Sequence, residues 1–427
     1  MFTQLIITQL VTYFDKCLGW YKALTSRLSG PGQNAPSTKA AAAFAREGEI
    51  REVTTKLLDD GNDAATRSSQ IDKEIQALIS GTRANPLSAY DIISDPKSVA
   101  SLSLLYNSMQ WLSSSLTHLR HVETASGSSS SSQVRRWTLI ASRRPNHGRS
   151  KSTGGNTTPA YLPMTSESVI PFDKTLQEFR ELAKVALLTL HIDVRCGVIY
   201  QLTRSLRGPN ATPVDQAPAP PPRDSSALPN TNSGVYHWIL QQPPTAASAL
   251  ILELNNDLIS FDTNVSTYLG AKERRFITRG LGRLIDRVLV ADADRMEVMN
   301  AYGAQRMGLD ILVLQQNLRN IAITASPTPG SDIISIDRDA GEDADVLLEK
   351  SAQFYNLFLQ GAGKVVDYAK AAKSKGDAVG FSYDELKVLV ELCYSEGLRS
   401  KEREENLKAK KGMQDSLLWL DEVMWDS

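Results

Sequence analysis

Between Gln305 and Ile321 the chain reads QRMGLDILVLQQNLRNI, and its large apolar residues recur at steps of four, three, four and three. That spacing sets Met307, Ile311, Leu314, Leu318 and Ile321 on one stripe of an α-helix, with Asp310, Gln315, Gln316 and Arg319 pointing elsewhere. Burying five such side chains is worth about 8–15 kcal/mol before chain entropy is subtracted. A stripe of this kind needs partner helices, and the same period runs through most of the chain.

Residues 2–28 read as one helix, ended by Ser29-Gly30-Pro31-Gly32. A second helical region covers 37–81, interrupted near Gly61-Asn62-Asp63, and a third runs from Ser98 to Val122 with Leu102, Leu105, Met109, Leu112, Leu116 and Leu119 on one face. The pattern then collapses. Residues 123–168 are rich in Ser and Arg and predict a disordered insertion. Helix resumes with Pro171 in its first turn and runs to Arg207. The Pro-rich stretch 208–244 predicts an extended, unpacked loop. Three helices are expected from Thr245 to Ile321, split near Gly270 and Asp292–Asp294, followed by an acidic linker at 325–344. The remainder predicts helices at 345–359, 363–375, 382–397 and 400–424, with Ser382 and Glu385 forming a capping box. The sequence therefore predicts an all-α fold. Its expected parts are a helical bundle at 1–122, a central bundle at 169–324 and a C-terminal bundle at 345–427.

Composition changes this picture little. With 427 residues, 41% hydrophobic and 22% charged, the chain has the balance of an ordinary soluble protein. A formal net charge of −1 provides no global attraction to nucleic acid or membrane, so any electrostatic partner must meet a local patch. Cys17, Cys196 and Cys393 are far apart and each falls in a helical pattern, which predicts core thiols in a reducing compartment. The apolar opening FTQLIITQLVTYF lacks the basic start and cleavage site of a signal peptide, and no run is long enough to span a bilayer.

Candidate chemistry is sparse. His118 and His121 stand three apart on a helix, without a third metal ligand in view. Gly361-Ala362-Gly363-Lys364 resembles the end of a phosphate loop, but Phe358 and Val365 occupy positions where such a loop needs Gly and Ser or Thr. A helix stop and restart is the simpler reading. Gly280 and Gly282 follow no strand, so they suit close helix approach rather than dinucleotide binding. No cofactor or catalytic residue is predicted. The basic cluster Arg135, Arg136, Arg143, Arg144, Arg149 and Lys151 has no acid within it. It suits a solvated loop, a contact for anionic lipid at about 1 kcal/mol per charge, or a segment read by import or kinase machinery. The mixed-sign run from Lys401 to Lys411 fits an exposed helix face, and Leu417, Leu418, Leu420, Met424 and Trp425 predict a docked amphipathic end.

The stretch QRMGLDILVLQQNLRNI resembles the C-terminal portion of exocyst complex component 4, a subunit family of vesicle-tethering proteins. LVTYFDKCLGWYKAL, LLTLHIDVRCGVIYQL, ELNNDLISFDTNVSTYLGAKERRFITRGLGRLIDRVLV, SAQFYNLFLQGAGKVVDYAK and FSYDELKVLVELCYSEGL resemble the same family in the same order. The resemblance implies an elongated rod of stacked antiparallel helical bundles. It also implies a non-enzymatic scaffold, cytoplasmic and peripheral at the plasma membrane, that holds secretory vesicles before SNARE-driven fusion. Other exocyst subunits are the implied partners, with SNARE-related proteins, small GTPases and phosphoinositides as further ones. The family's N-terminal coiled-coil region has no counterpart in these residues. The alternative is a stand-alone helical adaptor for anionic lipid or a small GTPase.

Overall fold

The computed structural model describes residues 2–27, 38–58, 63–122, 162–208, 238–324, 347–374 and 380–425, and helices dominate them. In chain order the helices are α1 (Phe2–Leu24), α2 (Ala40–Arg46), α3 (Glu49–Leu58), α4 (Ala64–Ala84), α5 (Pro96–Leu119) and α6 (Ser166–Arg207). They continue with α7 (Ala249–Ser266), α8 (Ala271–Thr278), α9 (Leu281–Ala291), α10 (Ala301–Thr324), α11 (Glu349–Gln360), α12 (Ala362–Ser374), α13 (Tyr383–Leu398) and α14 (Arg403–Trp425). Strands β1 (Arg120–Val122) and β2 (Leu162–Met164) pair in parallel. The expected all-α class holds. No described helix is long and apolar enough to cross a membrane.

The chain divides into two compact units: Met1–Leu24 with Leu104–Ala186, and Thr25–Ser103 with Leu187–Ser427. Helices α5 and α6 contribute residues to both. In the first unit Ile7, Met164, Phe172 and Leu176 form a buried cluster, with Ile6, Leu10, Leu116 and Val169 packed against it. The Phe14 and Phe179 rings meet edge to face with centroids 5.5 Å apart, a geometry that aromatic quadrupoles favour.

Local detail departs from expectation at two places here. The helix predicted through Val122 stops at Leu119, because Arg120–Val122 pair with Leu162–Met164 and Arg120 forks onto Asp173 with two 2.7 Å hydrogen bonds. A partner so distant in sequence leaves no trace in a local period. Pro171 also lies a turn inside α6 rather than in its first turn. The helix starts earlier because Thr165 and Ser168 cap each other: each backbone N–H donates to the other's hydroxyl, at 3.0 and 3.3 Å.

In the second unit the α10 stripe is buried throughout, with Leu314 fully inaccessible and no member more than 6% exposed. Helix α10 packs against α7 and α11, and α11 against α9. Helices α3 and α4 form a pair, as do α13 and α14, with α12 beside α14. The Ser382–Glu385 capping box is present. Gly361 ends α11 with φ of 90°, as a helix stop requires.

Four helices, not three, occupy 245–321, because α8 and α9 separate at Gly280. Gly280 has φ of 72°, and a Cβ there would fall 2.6 Å from Ile71 Cγ2. Glycine is therefore required both for the left-handed turn and for the approach of α4. Asp310, expected to point away from the core, is fully buried. It stands three residues after Met307 and four before Leu314, so it borders the stripe. The stretch expected to be unpacked up to 244 ends earlier: Trp238 is buried, and its indole Nε1 donates to the Leu206 carbonyl at 2.9 Å. Residues 209–237 and 325–346 lie outside the described residues. At the C-terminal end α14 docks through Leu420 and Val423, whereas Leu418 and Trp425 face outward. The docking stripe is narrower than the apolar residues suggested. Cys17 and Cys196 are buried and Cys393 is half-buried, as core thiols should be.

Candidate functional site

The six basic residues singled out by sequence, Arg135, Arg136, Arg143, Arg144, Arg149 and Lys151, lie outside the described residues. His118 is exposed on α5, and the described residues hold no metal-ligating cluster. Gly361 is the break between α11 and α12, and Lys364, in the first turn of α12, pairs with Asp367 at 3.2 Å. Polar chemistry concentrates instead on α6, in the stretch HIDVRC from His191 to Cys196.

Here α6 is apolar on all sides, so its three polar side chains are carried into the core. His191 Nε2 lies 2.7 Å from Glu74 Oε1 on α4, and Nδ1 lies 2.9 Å from the Phe276 carbonyl. Arg195 donates from Nη1 to the carbonyls of His191 and Ile277, at 2.9 and 2.8 Å, and from Nη2 to that of Arg279. Its Nε stands 3.3 Å from Glu74 Oε2. Thr54 on α3 holds its hydroxyl 2.7 Å from Glu74 Oε1. The carbonyls of Phe276 and Ile277 are among those a helix leaves unpaired at its C-terminal end, and there α8 receives a ring nitrogen and a cation.

The electrostatics of this node are those of a paired buried charge. Burial alone would raise the Glu74 pKa. The charges of His191 and Arg195 and the hydrogen bonds from His191 and Thr54 outweigh it and hold the carboxyl at about 2. The partners pull against each other, since burial and the Arg195 charge push His191 below its usual value. Arg195 is the cation that does not titrate, so it secures the Glu74 anion. Both His191 ring nitrogens face acceptors, so the neutral ring donates to one of them and bridges Glu74 and the Phe276 carbonyl with two N–H groups only when protonated. Glu74, His191 and Arg195 are at most 1% exposed, closed off from solvent. The node fastens α3, α4, α6 and the α8–α9 junction together.

Asp193 sits between His191 and Arg195 in sequence, and two helical steps of about 100° turn it to another face. It is 2% exposed and lines a cleft of about 340 Å³ between α6, α7 and the segment that leads into α5. Its Oδ1 accepts the Ile93 N–H at 3.0 Å. Among the described residues its second oxygen has no hydrogen-bond partner. Burial raises the carboxyl to about 7, against the pull of the Ile93 N–H and the Lys39 charge. Lys39 itself donates to the Ile92 carbonyl at 2.8 Å.

The cleft walls are apolar, with Val194 and Val198 from α6 facing Leu254, Leu258 and Phe261 from α7. Polar groups stand on its margin. Gln201 donates to Asp257 Oδ2 at 3.3 Å, while its buried Oε1 has no hydrogen-bond partner among the described residues. Asp257 is itself raised, chiefly by burial and also by Glu253. Arg204 stands 3.9 Å from Glu253 at one end. Sequence reading missed both the node and the cleft. The available signal was three ionisable residues within five positions of a stretch of α6, 185–199, that carries no other charge.

Comparison with known proteins agrees with the resemblance seen in the residues. No family model matches the chain. "Probable exocyst complex component sec8" of Neurospora crassa is 35% identical over 452 aligned residues, covering 99% of this chain and 37% of that protein. "Exocyst complex component 4" of Homo sapiens is 21% identical, and that of Mus musculus 22%, each alignment covering 76% of this chain and 29% of the relative. The chain thus spans between 29% and 37% of the length of these curated relatives. By sequence, the chain is similar to exocyst components across nearly its whole length.

Proposed function

We propose that this chain is the part of an exocyst component 4-type subunit that supplies packed helical surface for vesicle tethering. The observation that carries the reading is the 35% identity to the fungal relative across nearly the whole chain. The chemistry supports it: the strongest polar node is sealed and structural, and the stripes on α7, α9, α10 and α11 pack into one body. Other exocyst components are the partners, and the sites of action are places of exocytosis at the plasma membrane. Binding rather than catalysis is the activity, so function lies in surface shape and charge.

The test is affinity purification of the tagged 427-residue chain from cells, with bound proteins identified by mass spectrometry. Recovery of other exocyst components in constant proportion supports the reading. Recovery of the folded chain without any of them overturns it.

A further inference from the structure

We propose that the α6–α7 cleft is a docking site for an arginine borne on an amphipathic segment of a partner protein. The inference rests on the scaffold reading only in taking the occupant to be a protein rather than a metabolite. Three observations carry it.

The first is an unfilled acceptor. Asp193 is only 2% exposed, lines the cleft, and has one carboxylate oxygen without a hydrogen-bond partner among the described residues. With accepting capacity left on both of its oxygens, the carboxylate matches a group that donates two parallel hydrogen bonds in a fixed fork, which is what a guanidinium does. An ammonium is a point donor and matches it less well.

The second is charge. Asp193, Glu253 and Asp257 line the cleft, and the one base among its lining residues, Arg204, already stands beside Glu253. An entering cation would therefore relieve acid–acid repulsion. It would also remove the cost of a charged Asp193 in an apolar wall, which at present holds that carboxyl partly protonated near neutral pH.

The third is shape. The lining residues run from Asp193 to Arg204 on α6 and from Glu253 to Asn264 on α7. At 1.5 Å per residue each wall is about 16 Å long. Apolar side chains line that length, and the Tyr200 and Phe261 rings provide faces on which a guanidinium stacks. A trough with apolar walls and acids along its margin suits an apolar segment with an embedded arginine.

The experiment is display selection of random 12-residue peptides on the intact chain, followed by fluorescence-polarisation titration of the enriched sequences. The expected result is enrichment of peptides with an arginine flanked by apolar residues. Replacing that arginine by citrulline, or Asp193→Asn in the protein, should weaken binding at least tenfold. Ser260→Trp, on the partly exposed cleft wall, should abolish it without changing the melting temperature, so a folding defect in one variant does not decide the outcome. The proposal is overturned if no peptide is enriched, or if the enriched peptides lack a basic residue. It is also overturned if binding is indifferent to both variants, or if Nα-acetyl-arginine methylamide binds as tightly as the peptides. Failure here with exocyst components still co-purifying removes this cleft and leaves the scaffold reading standing.

Discussion

Asp310 accepts two hydrogen bonds from one residue: the Ser248 backbone N–H at 2.6 Å and the Ser248 hydroxyl at 2.9 Å. Both residues are buried. Ser248 is the residue at which α7 begins, so the carboxylate of α10 serves as the cap that α7 does not provide for itself. Asp310→Ala leaves that N–H buried and unpaired, and should cost about 1–3 kcal/mol. Ser248→Ala removes only the hydroxyl and should cost about 1 kcal/mol. Urea unfolding of both single variants and the double variant should show a sum that falls short of additivity, because the two side chains share one interaction.

The Glu74–Arg195 pair should tolerate loss of one partner poorly. Glu74→Gln leaves the Arg195 guanidinium in the core without its counter-charge, which typically costs about 3–5 kcal/mol. Replacing Glu74 and Arg195 together by Gln and Met should cost less than either single change. Denaturant midpoints of the three variants decide the point; equal losses would mean that the pair does not act as a unit.

Asp193 makes a pH-dependent contribution of definite sign. Its folded pKa of about 7 lies above the ordinary value of 3.8, so between those values the folded state holds the proton more tightly. Stability from this group is present at low pH and falls as pH rises through about 7, by on the order of 4 kcal/mol in all. Glu74 acts in the opposite sense, its contribution being lost as pH falls from 4.5 towards about 2. The difference in unfolding free energy between the natural protein and Asp193→Asn, followed from about pH 4 to 8, should shift in favour of the variant up to about pH 7 and level off above it.

Gly280→Ala meets two obstacles together, a φ of 72° and a contact of 2.6 Å with Ile71. The backbone strain alone is worth about 1–3 kcal/mol. Pairing the change with Ile71→Ala, which removes the opposing Cγ2 methyl, should cost less than the sum of the two single changes but leave the portion due to φ. Thermal melts of the single and double variants should separate these contributions.

How far the residues disclosed the fold follows from what each depended on. Met307, Ile311, Leu314, Leu318 and Ile321 were legible because a buried stripe is a local, periodic fact, and so was the Ser382–Glu385 cap. Asp310 and Trp238 were not, because their partners Ser248 and Leu206 lie far along the chain and no period announces them. The α8–α9 break rests on the backbone angle of one glycine inside an apparently continuous helical pattern. The node at His191 was missed because its residues read individually as helix formers; only the all-round apolar company of α6 marks them as buried. The cleft at Asp193 depends on α6 and α7 lying side by side, which no single stretch encodes.

The indole hydrogen bond from Trp238 to the Leu206 carbonyl, with the Asn300 N–H bonded to the Trp238 carbonyl at 3.2 Å, joins the points where the chain leaves α6 and returns. With exit and return stitched together, the last turn of α6 and the approach to α7 share one anchor, so Trp238→Ala should loosen both at once.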